Sequence, residues 1–399
     1  MELLKEIIEE IKPEKKDERI NEFLEELQLR IDKKKVSAKV FLGGSFAKGT
    51  YLKDNYDIDI FIRFDKKYLK EDLSKLLESC LKGLKYEMVH GSRDYFQINN
   101  EFKFEIVPVL EINKPEDAVN VTDMSPLHVN WVLKNGKDLK EDIILLKQFC
   151  KACKVYGAES YIKGFSGHVV DILVINYDGF LNVLKASLKW KKKEIIDYHN
   201  HHKGDALWNL NKSKLQSPLI VIDPILHSRN AAAALSKEKL DVFVSCAKRF
   251  LKKPSKYFFI VKEFDSENYK GLVLEFESVK GKEDVVGAKV LKAFEFIVKG
   301  LDEFVVVDSG WEWSETNNKM WFKVKDNEIE EEYERIGPPV NRVEDVDKFK
   351  LKHNDTYVKS GKVCCKIKRK YFKVEDKIKS LVKDKYVTER LKCIQLLKL

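Results

Sequence analysis

Residues 43–64 read GGSFAKGTYLKDNYDIDIFIRF: two glycines and a serine close one apolar run, and two aspartates separated by one isoleucine open the next. An ionised carboxylate withdrawn from water needs a partner, so an acidic pair within a strand implies a cation beside it. From residue 57 to 64 the pattern alternates strictly. Asp57, Asp59, Phe61 and Arg63 share one strand face, and Ile58, Ile60, Ile62 and Phe64 share the other. The two carboxylates therefore point the same way, one pleat apart. Residues 101–110, EFKFEIVPVL, repeat the device, with Phe102, Phe104 and Ile106 toward a core and Glu101, Lys103 and Glu105 opposite.

Two same-face aspartates with a third carboxylate on an adjacent strand make an oxygen cage suited to Mg²⁺, which takes carboxylates, waters and substrate phosphates at ~2.0–2.1 Å. Two such ions ~3.5–4 Å apart activate an attacking hydroxyl and neutralise a departing pyrophosphate. Gly44 and Ser45, at the turn leaving the preceding strand, would let backbone N–H groups and a hydroxyl reach a triphosphate with no side chain between. The chemistry indicated is nucleotidyl transfer. A solvated acidic edge strand is the plain alternative, but it accounts for neither the Gly-Ser turn nor the fixed interval 46–56 before the DID run.

At 399 residues the chain exceeds one ordinary core, and ~150 residues per domain suggests two to four domains. No apolar run approaches the ~20 residues of a bilayer span, and the N-terminal MELLKEIIEEIKPEKK lacks the apolar core of a signal peptide. A cytoplasmic location is expected. The seven cysteines are odd in number and scattered, which suits reduced thiols. Cys150 and Cys153 form a single C-x-x-C with no second pair at zinc spacing, and His199, His201 and His202 read as a solvated loop rather than a metal site. Residues 341–399 hold 18 Lys/Arg against 8 Asp/Glu, a surplus as large as that of the whole chain, whose net charge is +9. With Tyr357, Tyr371 and Phe372 interleaved, this is the footprint of a polyanion binder.

Along the chain, the first 35 residues read as helix interrupted at Pro13, and 36–42 as a strand before the Gly-Gly-Ser turn. From 138 to about 182 the period is helical, broken at YGAES and KGFSGH. PLIVIDP reads as a strand, followed by a helix ending near Pro254. YFFIVKEF, GLVLEFES, a helix over 283–299, EFVVVDSG and KMWFKVKD then give the pattern of a split βαβ unit.

The catalytic stretch resembles the signature of the DNA polymerase beta-like nucleotidyltransferases. FEIVPV, DMSPLHVNW, LLKQFCKACKVYGAESYIKGFSGHVVDIL, VIDPILHSRNAAAALS and RIGPP resemble, in that order, the class I (archaeal-type) CCA-adding enzymes, which build the terminal C-C-A of tRNA from CTP and ATP without a nucleic-acid template. The resemblance implies an α+β multidomain fold. A nucleotidyltransferase head (1–140) with a mixed sheet and helices would precede a helical neck (141–255), a ferredoxin-like α+β body (256–340) and a basic C-terminal region (341–399) contacting tRNA. It also implies Asp57, Asp59 and Glu105 as ligands of two Mg²⁺. Gly44, Ser45, Lys48, His128, Lys147 and Tyr156 would hold the triphosphate and ribose, and Arg229 would read the edge of the incoming base. The partner implied is the tRNA acceptor arm, not a membrane; a homodimer is neither required nor excluded.

Three positions depart from the family pattern. Glu105 stands where aspartate is usual, Lys48 where arginine is usual, and Met124 where arginine is common. Apart from the resemblance, each candidate has a plainer reading: Lys48 and Lys147 as solvated lysines, His128 and Tyr156 as packing residues, Arg229 as an ion-pair partner of Asp223. Two alternatives remain open at the level of sequence. One is a poly(A) polymerase or oligoadenylate synthase with the same head; the other is a non-catalytic RNA-binding homologue, which loss of a carboxylate would mark.

Overall fold

The computed structural model describes residues 2–13, 18–53, 57–314 and 317–398; residues 54–56, within the interval before the DID strand, lie outside them. The chain divides into two compact units, Met1–Lys262 and Glu263–Leu399.

In the first unit, helices α1 (Glu2–Ile11) and α2 (Glu18–Lys33) precede strand β1 (Ala38–Leu42), the short helix α3 (Gly44–Lys48) and strand β2 (Asp57–Phe64). Helix α4 (Leu73–Leu81) and strands β3 (Glu87–Val89), β4 (Tyr95–Asn99) and β5 (Lys103–Leu110) follow. The strands form one sheet in the order β1-β2-β5-β4-β3, in which only β2 and β5 run parallel. Ile58, Ile60, Ile62 and Phe64 on β2 are entirely buried, together with Phe104 and Ile106 on β5, against Leu27 and Ile31 of α2 and Leu77 and Leu81 of α4. Each such side chain contributes roughly 1.5–3 kcal/mol. Burial of one face leaves the acidic face of β2 as the outer one, as the alternation predicts.

Helices α5 (Ser125–Asn135), α6 (Lys140–Ala152), α7 (Gly167–Tyr177) and α8 (Phe180–Ser187) make a second core. Strand β6 (Glu194–Ile196), the single-turn helix α9 (Ala206–Asn209), strand β7 (Leu219–Val221) and helix α10 (Lys237–Lys252) complete the unit, with β6 and β7 parallel. Helix α1 is first in sequence, yet Ile7 and Ile8 pack into this second core. YFFIVKEF, expected as a strand, instead forms a 3-10 turn over Lys256–Phe259. The cause is aromatic packing: the rings of Phe258 and Phe259 lie 6.1 and 5.9 Å from that of Phe149, and Phe250 and Phe180 close the cluster.

In the second unit, strand β8 (Leu272–Ser278), helix α11 (Glu283–Gly300), and strands β9 (Val306–Trp313) and β10 (Asn318–Val324) follow the expected order. Strand β11 (Glu332–Pro339), helix α12 (Val343–Lys352), and strands β12 (Tyr357–Lys359) and β13 (Lys362–Lys368) form a separate three-stranded sheet ordered β11-β13-β12. Helices α13 (Val374–Val382) and α14 (Lys385–Thr388) then lead to strand β14 (Leu391–Lys398), which returns to pair with β8. The main sheet is thus β14-β8-β10-β9, antiparallel throughout. This is the β-α-β-β-α-β order of a ferredoxin-like unit, with β11–β13 inserted before its second half. The division at residue 340 does not fall at a break in this unit. Val374, Ile378 and Leu391 share a core with Leu274, Val290 and Ile297, so the basic C-terminal region supplies the last helix and strand of the body.

Asp123, in DMSPLHVNW, fixes the segment that launches α5. It is fully buried. Its Oδ1 accepts from Arg93 Nη1 at 2.5 Å and Leu110 N at 2.9 Å, and its Oδ2 from Val119 N at 3.1 Å and Asn120 N at 2.9 Å. Met124, where arginine is common, is buried in the sheet's core. Removing one partner of a buried ion pair leaves the other uncompensated, at about 3–5 kcal/mol. Asp123→Ala is expected to destabilise the protein by that amount in urea unfolding, and a loss below about 1 kcal/mol would show that Arg93 finds water instead.

Candidate active site

The three predicted carboxylates converge where β2 and β5 run side by side. Asp59 is in register with Glu105, and Asp57 with Lys103. Asp57 stands exposed at the strand start, while Asp59 lies deeper. Burial and the charges of Glu105 and Asp57 push the Asp59 carboxyl up to about 6, against the opposing pull of Lys48 and Lys147. Lys103 Nζ sits 3.4 Å from Asp57 and 3.7 Å from Glu105, a cation already placed between two of the carboxylates. This donor set is all oxygen and crowded with like charge, so it fits a hard divalent cation.

The opening glycines answer to this cluster. At Gly44, φ is +55° and an added Cβ would fall 1.7 Å from Asp59 Oδ2. At Gly43 a Cβ would fall 2.3 Å from the Phe61 ring, and the Gly43 N–H donates to Asp59 O at 2.7 Å. Only a chain without side chains there brings β1 and α3 against the acidic strand. Ser45 follows on α3, half-buried.

Gln97 was not singled out by sequence reasoning. It faces Glu105 across the β4–β5 ladder and donates from Nε2 to Oε1 at 2.7 Å. A glutamate at this position has an extra methylene to restrain, and the Gln97 amide restrains it. Lys151 was also missed, although its i,i+4 spacing from Lys147 puts both on one face of α6. Burial lowers the Lys147 ammonium to about 8, with Asp171 and Asp59 acting in the opposite sense. Lys147 Nζ donates to Thr50 O at 2.7 Å. Burial also lowers Lys151, with Asp57 opposing, and its ammonium lies 5.6 Å from the centre of the Tyr156 ring. Burial and the negative charge of Asp171 raise the Tyr156 phenol.

Lys48 points away from open solvent and pairs with Asp171 of α7, whose carboxylate is fully buried and whose Oδ1 has no partner. A lysine fills one of the two oxygens; the fork of an arginine would reach both. The departure from arginine at 48 therefore bears on a buried pair linking α3 to α7.

His128 and Arg229 meet at Asp223, just beyond β7. His128 Nε2 lies 2.9 and 3.0 Å from the two carboxylate oxygens, and Arg229 Nη1 is 2.8 Å from Oδ2. Burial alone would raise the Asp223 carboxyl, but the hydrogen bond and charge of His128 hold it well below the usual carboxylate range. The His168 ring lies 4.4 Å from that of His128, and its Nε2 is 3.9 Å from Asp223 Oδ2; burial and His128 keep it neutral. The ligating atoms of His128, His168 and Asp223 lie within 4.8 Å of one another. Asp223 already accepts from Arg229, His128, and the Ile225 and Leu226 N–H groups, so its lone pairs serve donors rather than a cation. The His199 cluster is loop, with His199 accepting from Trp131 Nε1 at 3.0 Å. All seven cysteines are free, and among the described residues no helix is long and apolar enough to cross a membrane.

A mixed sheet with paired acidic strands, a Gly-Ser turn and a helical layer defines a nucleotidyltransferase. Residues 17–117 match the nucleotidyltransferase domain family, and solved structures share the fold. A cytoplasmic RNA terminal U-transferase superposes with a TM-score of 0.52 at 15% identity, over 66% of this chain and 98% of its own. The Cid1 poly(U) polymerase gives 0.51 at 15%, over 65% and 98%. More specifically, residues 141–260 match the second domain of tRNA nucleotidyltransferases and 270–390 the C-terminal domain of CCA-adding enzymes. The CCA-adding enzyme of Nanoarchaeum equitans is 39% identical over 344 residues, covering 84% of this chain and 85% of the relative. That of Methanocaldococcus jannaschii is 30% identical over 415 residues, covering 96% and 90%. This chain belongs to the CCA-adding enzyme family.

Because the folded Asp59 pKa lies above its ordinary value near 3.8, the folded state binds this proton more tightly than the unfolded state. The associated stability is present below pH ~4 and is lost as pH rises through about 6. In chelator, wild-type protein is expected to lose on the order of 1–3 kcal/mol between pH 4 and 7 relative to Asp59→Asn, measured by urea titration at each pH. Parallel pH profiles for the two proteins would remove the shift.

Proposed function

We propose that the protein adds C, C and A to the 3′ end of tRNA from CTP and ATP, without a template, in the cytoplasm. The observation that carries this reading is the facing pair Asp59 and Glu105, with Asp57 one pleat away on the same strand face, in a chain of this family. The 3′ hydroxyl of the acceptor attacks the α-phosphorus; the new P–O bond forms as the α–β bridge breaks, and pyrophosphate leaves. Asp57, Asp59 and Glu105 would hold two Mg²⁺, which supply activation of that hydroxyl and charge neutralisation of the leaving group. Gln97 restrains the Glu105 carboxylate through its Nε2–Oε1 hydrogen bond.

The incoming nucleotide lies between the acidic strands and α6. Gly44, Ser45, Lys147 and His128 meet the triphosphate, with Lys151 adding a second ammonium, and Tyr156 meets the ribose. Lys48 acts one step back, holding α3 to α7 through Asp171. Arg229, whose side chain is 39% exposed, reads the base edge. CTP and ATP each offer a ring-nitrogen acceptor beside an amine, whereas UTP and GTP place an N–H there. A guanidinium donates and cannot accept, so it favours the first pair.

The deciding experiment incubates the protein with CTP, ATP and a tRNA transcript lacking CCA, followed by sequencing of the 3′ end. Asp59→Ala is expected to abolish both C and A incorporation while tRNA affinity stays within a few-fold of wild type. Retention of more than a few per cent of activity in Mg²⁺ would remove Asp59 from the metal set.

The basic C-terminal region is proposed to grip the acceptor arm by shape and phosphate contacts. Since α13 and β14 belong to the body's core, deleting 341–399 would unfold that unit, and the grip is better tested by charge. Lys366, Lys368 and Lys370 are exposed. Replacing all three with glutamine is expected to reduce the slope of log K against log salt for tRNA by about 2, at ~0.7–0.9 per phosphate contact. An unchanged slope would move the contact elsewhere.

A further inference from the structure

Asp223 is fully buried and accepts from four donors. Its Oδ1 accepts from Ile225 N at 2.9 Å, Leu226 N at 3.1 Å and His128 Nε2 at 2.9 Å. Its Oδ2 accepts from Arg229 Nη1 at 2.8 Å and is 3.0 Å from the same His128 nitrogen. A carboxylate only accepts, so His128 carries its proton on Nε2. The backbone closes the same loop: Asp223 N donates to Arg229 O at 3.0 Å, and Arg229 N to Leu226 O at 2.8 Å. Arg229 therefore emerges from a loop clamped at both ends by one residue, with one guanidinium nitrogen spent on Asp223 and the remaining donors free to turn outward. Nothing else among the described residues ties α5 to this loop through a charged group.

We propose that Asp223 is the positioning residue of the base-reading pocket. It sets the orientation of the Arg229 fork and couples it to His128, so that selection of C and A over U depends on a side chain that touches no nucleotide. An arginine on a flexible stem would sample many orientations and lose rotamer entropy on each binding event; one pre-oriented by a buried carboxylate presents its donors in a fixed direction. The loop's second partner strengthens this. Lys214 Nζ donates to Ser228 O at 2.6 Å, and Asn230 Nδ2 to Lys214 O at 2.9 Å, so the residues on either side of Arg229 are also held.

The inference rests on Arg229 as the base-contacting group, and the test separates the two. Single-nucleotide addition to tRNA ending at the discriminator base is measured with CTP, ATP and UTP supplied separately. The proteins compared are wild type, Arg229→Ala, Asp223→Asn and the double variant. Arg229→Ala is expected to lower kcat/KM for CTP and ATP by roughly 10- to 100-fold and to narrow the margin over UTP. Asp223→Asn keeps an oxygen for the two backbone N–H groups. It is expected to narrow the same margin about tenfold, chiefly through KM, at unchanged tRNA affinity, and the double variant should fall within about threefold of Arg229→Ala. Should Asp223→Asn not fold, Asp223→Glu, which keeps the charge and displaces it by a methylene, is expected to give the same loss of discrimination. Wild-type discrimination in the Asp223 variant, or losses that multiply in the double variant, would overturn the inference. Equal losses for CTP and UTP in Arg229→Ala would overturn the base-reading role beneath it, and a wild type that adds no C would overturn the function itself.

Discussion

Everything in the site depends on like charges held closer than water would allow. Asp59 and Glu105 occupy facing positions of parallel strands, where the register fixes their separation whatever their repulsion. The chain compensates with lysines: Lys103 on β5 itself, and Lys147 and Lys151 on α6. This arrangement is poised for a divalent cation because its oxygens cannot spread apart and its positive charges only partly neutralise them.

Three aspartates of the first unit are fully buried, and each is met by a side chain from another part of the chain. Asp123 takes Arg93 and fixes the entry to α5; Asp171 takes Lys48 and ties α3 to α7; Asp223 takes His128 and Arg229. A buried pair is weak evidence of added stability but strong evidence of geometry, since breaking it is costly and bending it nearly so. In this unit the Lys48–Asp171 pair joins α3, beside the sheet, to α7 of the helical core. Residues as far apart as 48 and 171, or 128 and 223, are thereby brought into contact.

The second unit follows a different logic. Its ferredoxin-like sheet is opened after β10 by the inserted β11–β13 sheet and closed again by α13 and β14. The basic residues that mark the C-terminal region are therefore presented on folded elements, with Lys366 and Lys368 on β13 and Lys379 on α13. The charges there are held on ordered strands and a helix rather than on a trailing segment.

What the sequence by itself determined is what repeats at short range. The alternation of DIDIFIRF chose the acidic face, because period two allows only one burial. The glycines at 43 and 44 announced a close approach, and the family motifs carried the class of chemistry. Tertiary structure decided what depends on partners far along the chain. Lys48 carries no mark of facing Asp171, Gln97 none of bracing Glu105, and His128 none of reaching Asp223, because each of these contacts is made across elements whose packing no local pattern encodes, whereas the Asp223–Arg229 pair, within one loop, is legible as an ion pair. The same reason hid the role of residues 374–398: a strand that completes a sheet begun more than a hundred residues earlier looks, in sequence, like any short amphipathic run.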